Sequence, residues 1–444
     1  MIIPTNRLLI CFALIGVPAL TLMGAGIPGG AVALMALGGL VLISIADVFW
    51  GSDALRELSF SFPKKLRLTE ESAGEIKIRI DQSRPHQRTV LIAFLFPETI
   101  TSERDIEAVQ LPGETGAITF SWLIRAHRRG SFSLSEFYTG CLTPLKLWTL
   151  RRRNPLDLPI SVYPSLHAER RGLEGLIMRG REGALLRRQL GQGREFEKLR
   201  EYAPGDSYAD IHWKATARRA RPVTKLYQIE RTQEVYVVLD TSRLSARPVT
   251  SKSGITSSCM DHYIKAALLL GLVAQRQKDH FGVIAFSDRL QRFVRAGSGL
   301  RHYHACRDAL FGLEAQPVAA NFQEVTSQIR LRLRKRALLI FLTNLDEPTL
   351  AEAFSHSVEI ICRQHLIIAN ILSPPEAGPL FSAGTIETEA DIYRKLAGHQ
   401  QWQQLAELQH SLHQRNVQLF QMQEAHMAVT LVEKYLEIKQ SQRL

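Results

Sequence analysis

The strongest constraint on the fold is an uncharged run near the N-terminus. No Asp, Glu, Lys or Arg occurs among the 39 residues from Leu8 to Ala46. Because a helix needs about 20 apolar residues to cross a bilayer core, this run is long enough for two helices. A Gly- and Pro-containing turn interrupts it, since both residues disfavour a helix interior. The pattern predicts a transmembrane hairpin in residues 1–50, with helices at about 8–23 and 27–49.

Basic residues flank this run on both sides, with Arg7 before it and a cluster from Arg56 to Arg67 after it. Basic residues favour the cytoplasmic side of a membrane. We therefore expect a multi-pass protein of the inner (plasma) membrane whose soluble domains face the cytoplasm. A cleaved signal peptide ending near Ala25 is the alternative. The five cysteines are an odd number without a CxxC pair, which favours free thiols in a reducing compartment.

The next segment, residues 58–170, has the pattern of a β-rich domain. Short runs of β-branched and aromatic residues alternate with Pro and Gly turns. Ile76, Ile78 and Ile80 show the two-residue period of a half-buried strand. Several short strands without a clear helix predict a small β-sandwich-like domain.

Residues 233–444 change to an alternation of apolar strands and amphipathic helices. The predicted strands are Val235–Leu239, Phe281–Phe286, Ala337–Leu342 and Leu366–Leu372, and the predicted helices are His262–Arg276, Arg301–Leu313, Gln323–Arg334, Thr349–Arg363, Glu389–Gln409 and Val429–Lys439. This order predicts a mostly parallel sheet with helices on both faces, and thus an α/β fold class. Ligands of such sheets bind beyond the carboxyl ends of the strands, where Asp240, Thr343 and Asn344 lie.

A basic connector, residues 171–232, joins the two halves. Residues 151–231 hold 18 Lys and Arg against 10 Asp and Glu, within a chain whose net charge is +12. Because acidic residues are interleaved with the basic ones, we expect no nucleic-acid partner. A solvated or lipid-facing surface, a protein-recognition motif, and a lock between the β-rich and α/β domains all stay open.

The connector also holds a long motif of mixed residue types. Its members are Gly191, Gly193, Glu195, Phe196, Leu199, Arg200, Glu201, Tyr202, Gly205, Asp206, Ile211, Trp213, Lys214, Ala217 and Arg218. This order resembles the motif of the DUF58 family of membrane proteins. The resemblance extends over nearly the whole chain and implies that residues 233–444 form a von Willebrand factor A-like, Rossmann-type domain.

The resemblance also implies a function as an adaptor. Proteins of this family are encoded beside MoxR-type AAA+ ATPases and transglutaminase-like membrane proteins, which are therefore the expected partners. We expect a membrane-anchored, non-catalytic scaffold that binds other proteins through its A-like domain and its connector. The residues expected to form the interaction motif are Glu195, Phe196, Arg200, Glu201, Tyr202, Gly205, Asp206, Trp213 and Arg218.

The von Willebrand A metal site uses Asp-x-Ser-x-Ser, a Thr and a Thr-Asp pair, all hard oxygen donors that suit Mg²⁺. Asp240 and Ser242 fit the first element, but Leu244 replaces its second serine, and Asn344 replaces the second carboxylate. The loss of one carboxylate weakens a site that must dehydrate the ion. We therefore predict a degenerate site and no cofactor.

The sequence offers no catalytic motif. It contains no Walker A loop, HExxH, GxSxG, paired CxxC or EF-hand spacing. No His partner is identifiable for Cys259 or Cys306, so a thiol nucleophile is not expected. We predict that the chain is not an enzyme. The alternative is a metal-dependent cell-envelope enzyme that uses the strand-end cleft near Asp240.

Overall fold

The computed structural model divides the chain into two compact units, residues 1–165 and 166–444. It describes residues 1–24, 29–51, 58–82, 88–113, 116–180, 190–191, 195–203, 207–228, 232–250, 256–373, 377–380, 388–423 and 426–440.

The first unit contains two helices followed by a β-rich segment. Its elements are β1 (Ile2–Pro4), α1 (Asn6–Gly24), α2 (Gly29–Gly51), β2 (Leu58–Ser61), β3 (Leu66–Thr69), β4 (Ala73–Gln82), β5 (Arg88–Phe94), β6 (Ile100–Ser102), β7 (Ile106–Leu111), β8 (Gly116–Ala126), β9 (Gly130–Leu142) and β10 (Trp148–Tyr163).

Two sheets of this unit enclose one hydrophobic core. One has the order β1-β10-β9-β5-β7, with β3 also paired to β10, and the other has the order β2-β4-β8-β6. The alternating residues Ile76, Ile78 and Ile80 are fully buried in this core, as their two-residue period predicts. Trp122 joins them, and its indole N–H donates to Ser102 Oγ at 2.7 Å.

The predicted transmembrane hairpin is wrong. Within the described residues, no helix combines the length and the apolar character that crossing a membrane requires. The multi-pass location predicted from the hairpin therefore lacks its basis. In the structure, the end of α2 makes polar contacts with the β-rich segment. Asp47 is fully buried, and its Oδ1 accepts a hydrogen bond from the Leu145 amide at 2.9 Å. Ser44 Oγ accepts one from the Trp148 indole at 2.9 Å.

The second unit holds the connector and the α/β sheet. Its elements are α3 (His167–Gly180), β11 (Leu190–Gly191), β12 (Glu195–Glu201), α4 (Trp213–Arg219), β13 (Val223–Gln228), β14 (Glu234–Asp240), β15 (Pro248–Thr250), β16 (Thr256–Ser258), α5 (Cys259–Arg276), β17 (His280–Phe286), β18 (Leu290–Gly297), α6 (Leu300–Leu310), α7 (Phe322–Arg332), β19 (Leu338–Leu342), α8 (Pro348–Glu359), β20 (Leu366–Leu372), α9 (Glu389–Gln414), β21 (Val417–Met422) and α10 (Met427–Gln440).

The large sheet of this unit has the order β18-β17-β14-β19-β20-β21. Its pairs are parallel except for the antiparallel edge pair β17–β18. Along β14, Val235, Val237 and Leu239 contact the core cluster on the side of α5 and α10, whereas Tyr236 and Val238 contact the cluster on the side of α7 and α8. The predicted mostly parallel sheet is therefore present, and both of its faces are covered.

Helix α5 illustrates how the sequence sets an element. Ser258 caps its N-terminus and forms a capping box with Asp261, so two otherwise unpaired amides are satisfied. Thirteen of its residues are buried, including Leu268, Leu269 and Leu270. Gly271 is needed at its position because a Cβ there would lie 2.7 Å from the ring of Phe281. This close approach fixes α5 against β17.

Candidate functional site

The first candidate site lies at the carboxyl end of the parallel sheet. Asp240 is the last residue of β14, and Thr343 and Asn344 directly follow β19, which is paired with β14. Asp240, Thr343 and Asn344 are each at most 2% exposed. The structure thus brings together the residues that the strand-end rule selects.

The carboxylate of Asp240 is hydrogen-bonded within the protein. Its Oδ1 accepts from the backbone amide of Ser242 at 2.8 Å, and its Oδ2 accepts from Thr343 Oγ1 at 2.6 Å. Burial raises the pKa of Asp240, while the hydrogen bonds from Thr343 and Ser242 act in the opposite direction. Both carboxylate oxygens therefore have protein donors.

The neighbouring polar groups are also engaged. Tyr263, fully buried on α5, donates its hydroxyl to Thr343 O at 2.9 Å or to Asn344 Oδ1 at 2.8 Å. The Asn344 amide donates in turn to the backbone oxygen of Leu244 at 3.1 Å. Ser245 Oγ donates to the backbone oxygen of Asp240 at 2.6 Å. The strand end is closed by a hydrogen-bond network.

Two ion pairs cover this network from the loops. Arg243 contacts Glu347, with Nη2 at 2.8 Å from Oε1, and Arg247 pairs with the buried carboxylate of Asp346. The positive charge of Arg243, which the sequence places beside Asp240, is therefore offset by Glu347. Asp346, the carboxylate nearest in sequence to Asn344, is paired to Arg247.

These residues do not fit a Mg²⁺ site. The ion needs several hard oxygen ligands at near-octahedral positions, and here one carboxylate has both oxygens hydrogen-bonded while the second is an amide held by Tyr263. Ser242 Oγ is buried and has no hydrogen-bond partner among the described residues. It could supply only one of the several oxygen ligands that the ion needs. In the part of the chain that the structure describes, no group of three His, Cys, Asp or Glu residues is placed to hold a metal ion.

The second candidate site is formed by the connector. Strands β12 and β13 pair antiparallel, and α4 lies between them in the chain. Helix α4 is capped by His212, whose Nδ1 accepts from the Ala215 amide at 3.1 Å, and it ends at Ala220 in the left-handed conformation with φ of 53°. The fully buried Val223 donates its amide to Thr216 Oγ1 at 3.1 Å. This packing fixes α4 on the hairpin.

The described part of this segment exposes aromatic and basic side chains. Trp213 is 69% exposed and Tyr208 is 76% exposed. The ring of Tyr208 lies 5.8 Å from that of Tyr202. Lys214 and Arg218 are exposed one helical turn apart on α4. We call this set, together with Arg200, Arg219 and Arg221, the aromatic–basic face.

The structure separates the predicted motif residues into three groups. Arg200, Glu201, Trp213 and Arg218 are exposed, and Tyr202 is half-buried. Glu201 Oε1 lies 3.4 Å from Arg221 Nη1. The side chains of Glu195 and Phe196 and the whole of Gly205 and Asp206 lie outside the described residues.

Sequence reasoning missed several residues of these sites. Tyr208 has the highest exposed fraction among the aromatic residues of the aromatic–basic face. Tyr263 lies within the amphipathic pattern of α5, which does not distinguish it from the other core residues of that helix. Cys306 Sγ lies 3.4 Å from His302 Nε2, a spacing of four residues on α6 that could have been found. Burial raises the pKa of Cys306 to about 12, so this pair does not generate a thiolate.

Comparison with known proteins finds a family whose model matches part of the chain. Residues 198–391 match the family described as protein of unknown function DUF58. This match confirms the resemblance for the end of the connector and most of the α/β sheet. The curated protein YeaD of Bacillus subtilis (strain 168), described as uncharacterized, is 29% identical over 98 residues, which are 22% of this chain and 24% of that protein. The chain therefore spans about a quarter of the relative's length.

Two solved structures align with part of the chain. An aerotolerance-related membrane protein from Bacteroides fragilis NCTC 9343, with multiple mutations to serines, aligns with 46% of this chain and 98% of that chain, at 14% identity and a TM-score of 0.30. The VWA domain of SpRpn10 aligns with 46% of this chain and 95% of that chain, at 9% identity and a TM-score of 0.27.

Proposed function

We propose that this chain is a non-catalytic adaptor that binds another protein through the aromatic–basic face. The observation that carries the proposal is the exposure of Trp213 and Tyr208, 69% and 76%, beside the basic residues of α4. Trp, Tyr and Arg are the residue types most enriched where single side chains dominate binding. An exposed indole on a well-capped helix is a pre-ordered anchor for a pocket in a partner.

The charge of the face indicates the chemistry of the partner. Lys214, Arg218 and Arg219 are exposed on one short helix, and no carboxylate lies on that helix. Such a face favours an acidic protein surface, which also raises the association rate. By the resemblance to DUF58, we propose a MoxR-type AAA+ ATPase as this partner, with a transglutaminase-like membrane protein as a second. The family match is consistent with a protein-interaction role.

The strand-end network supports the non-catalytic part of the proposal. Asp240 is 1% exposed. Its Oδ1 accepts a hydrogen bond from the Ser242 amide, and its Oδ2 accepts one from Thr343 Oγ1. A general base must be able to reach a substrate proton. Cys306 is fully buried with a raised pKa, which disfavours a nucleophilic role.

The proposal is tested by measuring the affinity of the full-length chain for a purified MoxR-type AAA+ ATPase. We expect Trp213→Ala to weaken binding about 30-fold or more, the usual effect of removing a dominant aromatic anchor. Arg218→Glu should weaken it as well, and the effect should shrink as salt is added. Tyr393→Ala and Arg334→Glu are matched controls, because Tyr393 is 71% exposed on α9 and Arg334 is exposed after α7.

Melting temperatures separate recognition from a structural lock. Because Trp213 and Arg218 are exposed, their substitution should leave the melting temperature unchanged. Charge reversal at Arg200 that lowers the melting temperature strongly would favour the lock between domains. Unaltered affinity in both Trp213→Ala and Arg218→Glu would refute the adaptor face.

A further inference from the structure

A cavity of about 490 Å³ lies between α8 and α9, next to the end of β19. Its wall has an apolar part formed by Leu345, Leu405 and Leu408. Leu345 and Leu405 are each 2% exposed and belong to the hydrophobic core, so this part of the wall is held in place by core packing. The volume is within the range of small-molecule sites, which is about 300 to 1,000 Å³.

The charged lining of the cavity is predominantly acidic. Glu352 on α8 and Glu407 on α9 line it from the two helices. Among the described residues, no cation pairs with either glutamate. This acidic lining occurs in a chain whose net charge is +12, so it is not a consequence of overall composition.

The cationic group of the lining is already engaged. Arg415 Nη1 donates to Ser411 Oγ at 2.6 Å and to Ser355 Oγ at 3.0 Å, and its Nε lies 3.7 Å from Glu359. An anion entering the cavity would therefore meet two glutamates and an arginine whose Nη1 and Nε groups are already engaged. This arrangement disfavours an anionic ligand.

A buried acceptor in the cavity wall gives independent support for a donor ligand. Asp346 lines the cavity, and its side chain is 4% exposed. One of its oxygens, Oδ2, pairs with Arg247. The other, Oδ1, is buried and accepts no hydrogen bond from the described residues. A buried carboxylate oxygen without a donor is costly, so a ligand N–H at this position would be stabilising.

We propose that this cavity binds an organic cation, namely a primary ammonium or guanidinium group on a short aliphatic chain. The leucine wall contacts the aliphatic part, while Glu352, Glu407 and the free oxygen of Asp346 accept from the cationic head. The same chemistry occurs in free diamines and in the Lys or Arg side chains of a polypeptide. The proposal is independent of the aromatic–basic face.

Calorimetric titration of the full-length chain tests the proposal. The probes are 1,4-diaminobutane, capped lysine amide and capped arginine amide, with capped Nε-acetyl-lysine amide as the neutral control. We expect a cationic probe to bind with a dissociation constant of about 1 mM or tighter, and the neutral control not to bind. Tighter binding of the diamine indicates a free amine as the natural ligand, and tighter binding of a capped amino acid indicates a polypeptide side chain.

Substitutions locate the binding. Glu352→Gln and Glu407→Gln should each weaken it about two- to fivefold, the effect of one solvent-exposed charge pair, and the double variant about tenfold. Glu433→Gln is the matched control, because Glu433 is an exposed glutamate on α10 that does not line the cavity. Absence of saturable heat for every cationic probe, or unchanged affinity in the double variant, would overturn the proposal.

Discussion

The last helix, α10, packs into the hydrophobic core through residues such as Leu431 and Val432, and the buried carboxylate of Asp279 adds polar contacts to it. Loss of one of these polar contacts gives a quantitative prediction. Asp279 has a fully buried side chain. Its Oδ2 accepts from the hydroxyl of Tyr435 and from Lys439 Nζ at 2.7 Å, and its Oδ1 accepts from the Gln233 amide at 3.1 Å. Burial and the adjacent Asp279 raise the pKa of Tyr435, so its hydroxyl stays a donor across the usual pH range.

Tyr435→Phe removes one hydrogen bond to a charged acceptor and leaves the ring in place. A hydrogen bond to a charged group contributes about 1.5–3 kcal/mol, against about 1 kcal/mol for a neutral pair. Tyr435 and Tyr263 are both fully buried. They differ in that Tyr263 donates to neutral acceptors. We therefore expect Tyr435→Phe to lower the free energy of unfolding by about 2 kcal/mol, and Tyr263→Phe by about half as much.

Urea unfolding of the full-length variants, followed by circular dichroism, measures both losses. Hydrogen exchange over α10 gives a local readout, and it should rise in Tyr435→Phe and stay unchanged in Tyr263→Phe. A loss in Tyr263→Phe that equals or exceeds the loss in Tyr435→Phe would refute the assignment of the larger energy to the charged acceptor.

Three further predictions concern the strand end and the thiols. Because burial raises the pKa of Asp240 above its ordinary 3.8, its contribution to stability is largest below about pH 4 and is lost as the pH rises through the folded-state pKa. As the pH is raised from 4 to 7, the melting temperature of the native chain should therefore fall relative to that of Asp240→Asn. A melting temperature of Asp240→Asn that falls relative to the native one over this range would contradict this. Calorimetry with millimolar Mg²⁺ should show no saturable heat, and heat that disappears in Asp240→Ala would contradict the degenerate site. Cys306, with a pKa of about 12 and no exposure, should resist alkylation at pH 8 while the half-buried Cys362 reacts, as peptide mapping can measure.

The elements that could be predicted from the sequence are those whose apolar pattern matches their observed burial. The run Val235–Leu239 is buried on both faces, and the observed strand β14 extends it by one residue at each end to Glu234–Asp240. The last helix was predicted at 429–439 and is observed at Met427–Gln440. In both segments the local pattern and the tertiary environment agree.

The elements that were missed lie at edges, where the burial signal is weak. Strand β18, Leu290–Gly297, pairs on one side and has no fully buried residue. Strand β21, Val417–Met422, follows a Gln-rich helix that runs on to Gln414, and its alternation of buried and partly buried residues is short. Strand β21 contributes Val417 and Leu419 to one core cluster and Met422 to the other, but the rest of its six residues are not buried, so its apolar signal is weaker than that of a central strand such as β14.

The uncharged N-terminal run shows the limit of composition as a guide. Its length predicts helices, and α1 and α2 are present. Composition could not show that Asp47, the first charged residue after the run, would be buried against Thr143 and Leu145. A buried carboxylate is stable only where specific donors converge on it, and those donors come from residues about 100 positions later in the chain.

The sequence by itself determined the alternation of strands and helices, the presence of the DUF58-like motif and the shortage of carboxylates at the strand end, because each depends on residue type and spacing. The tertiary structure decided which polar groups meet: Thr343 with Asp240, Tyr263 with Asn344, and Glu352 with Glu407 around one cavity. The physical reason is that hydrogen bonds and charge interactions act over a few ångströms, whereas the residues that make them are separated by tens to hundreds of positions along the chain.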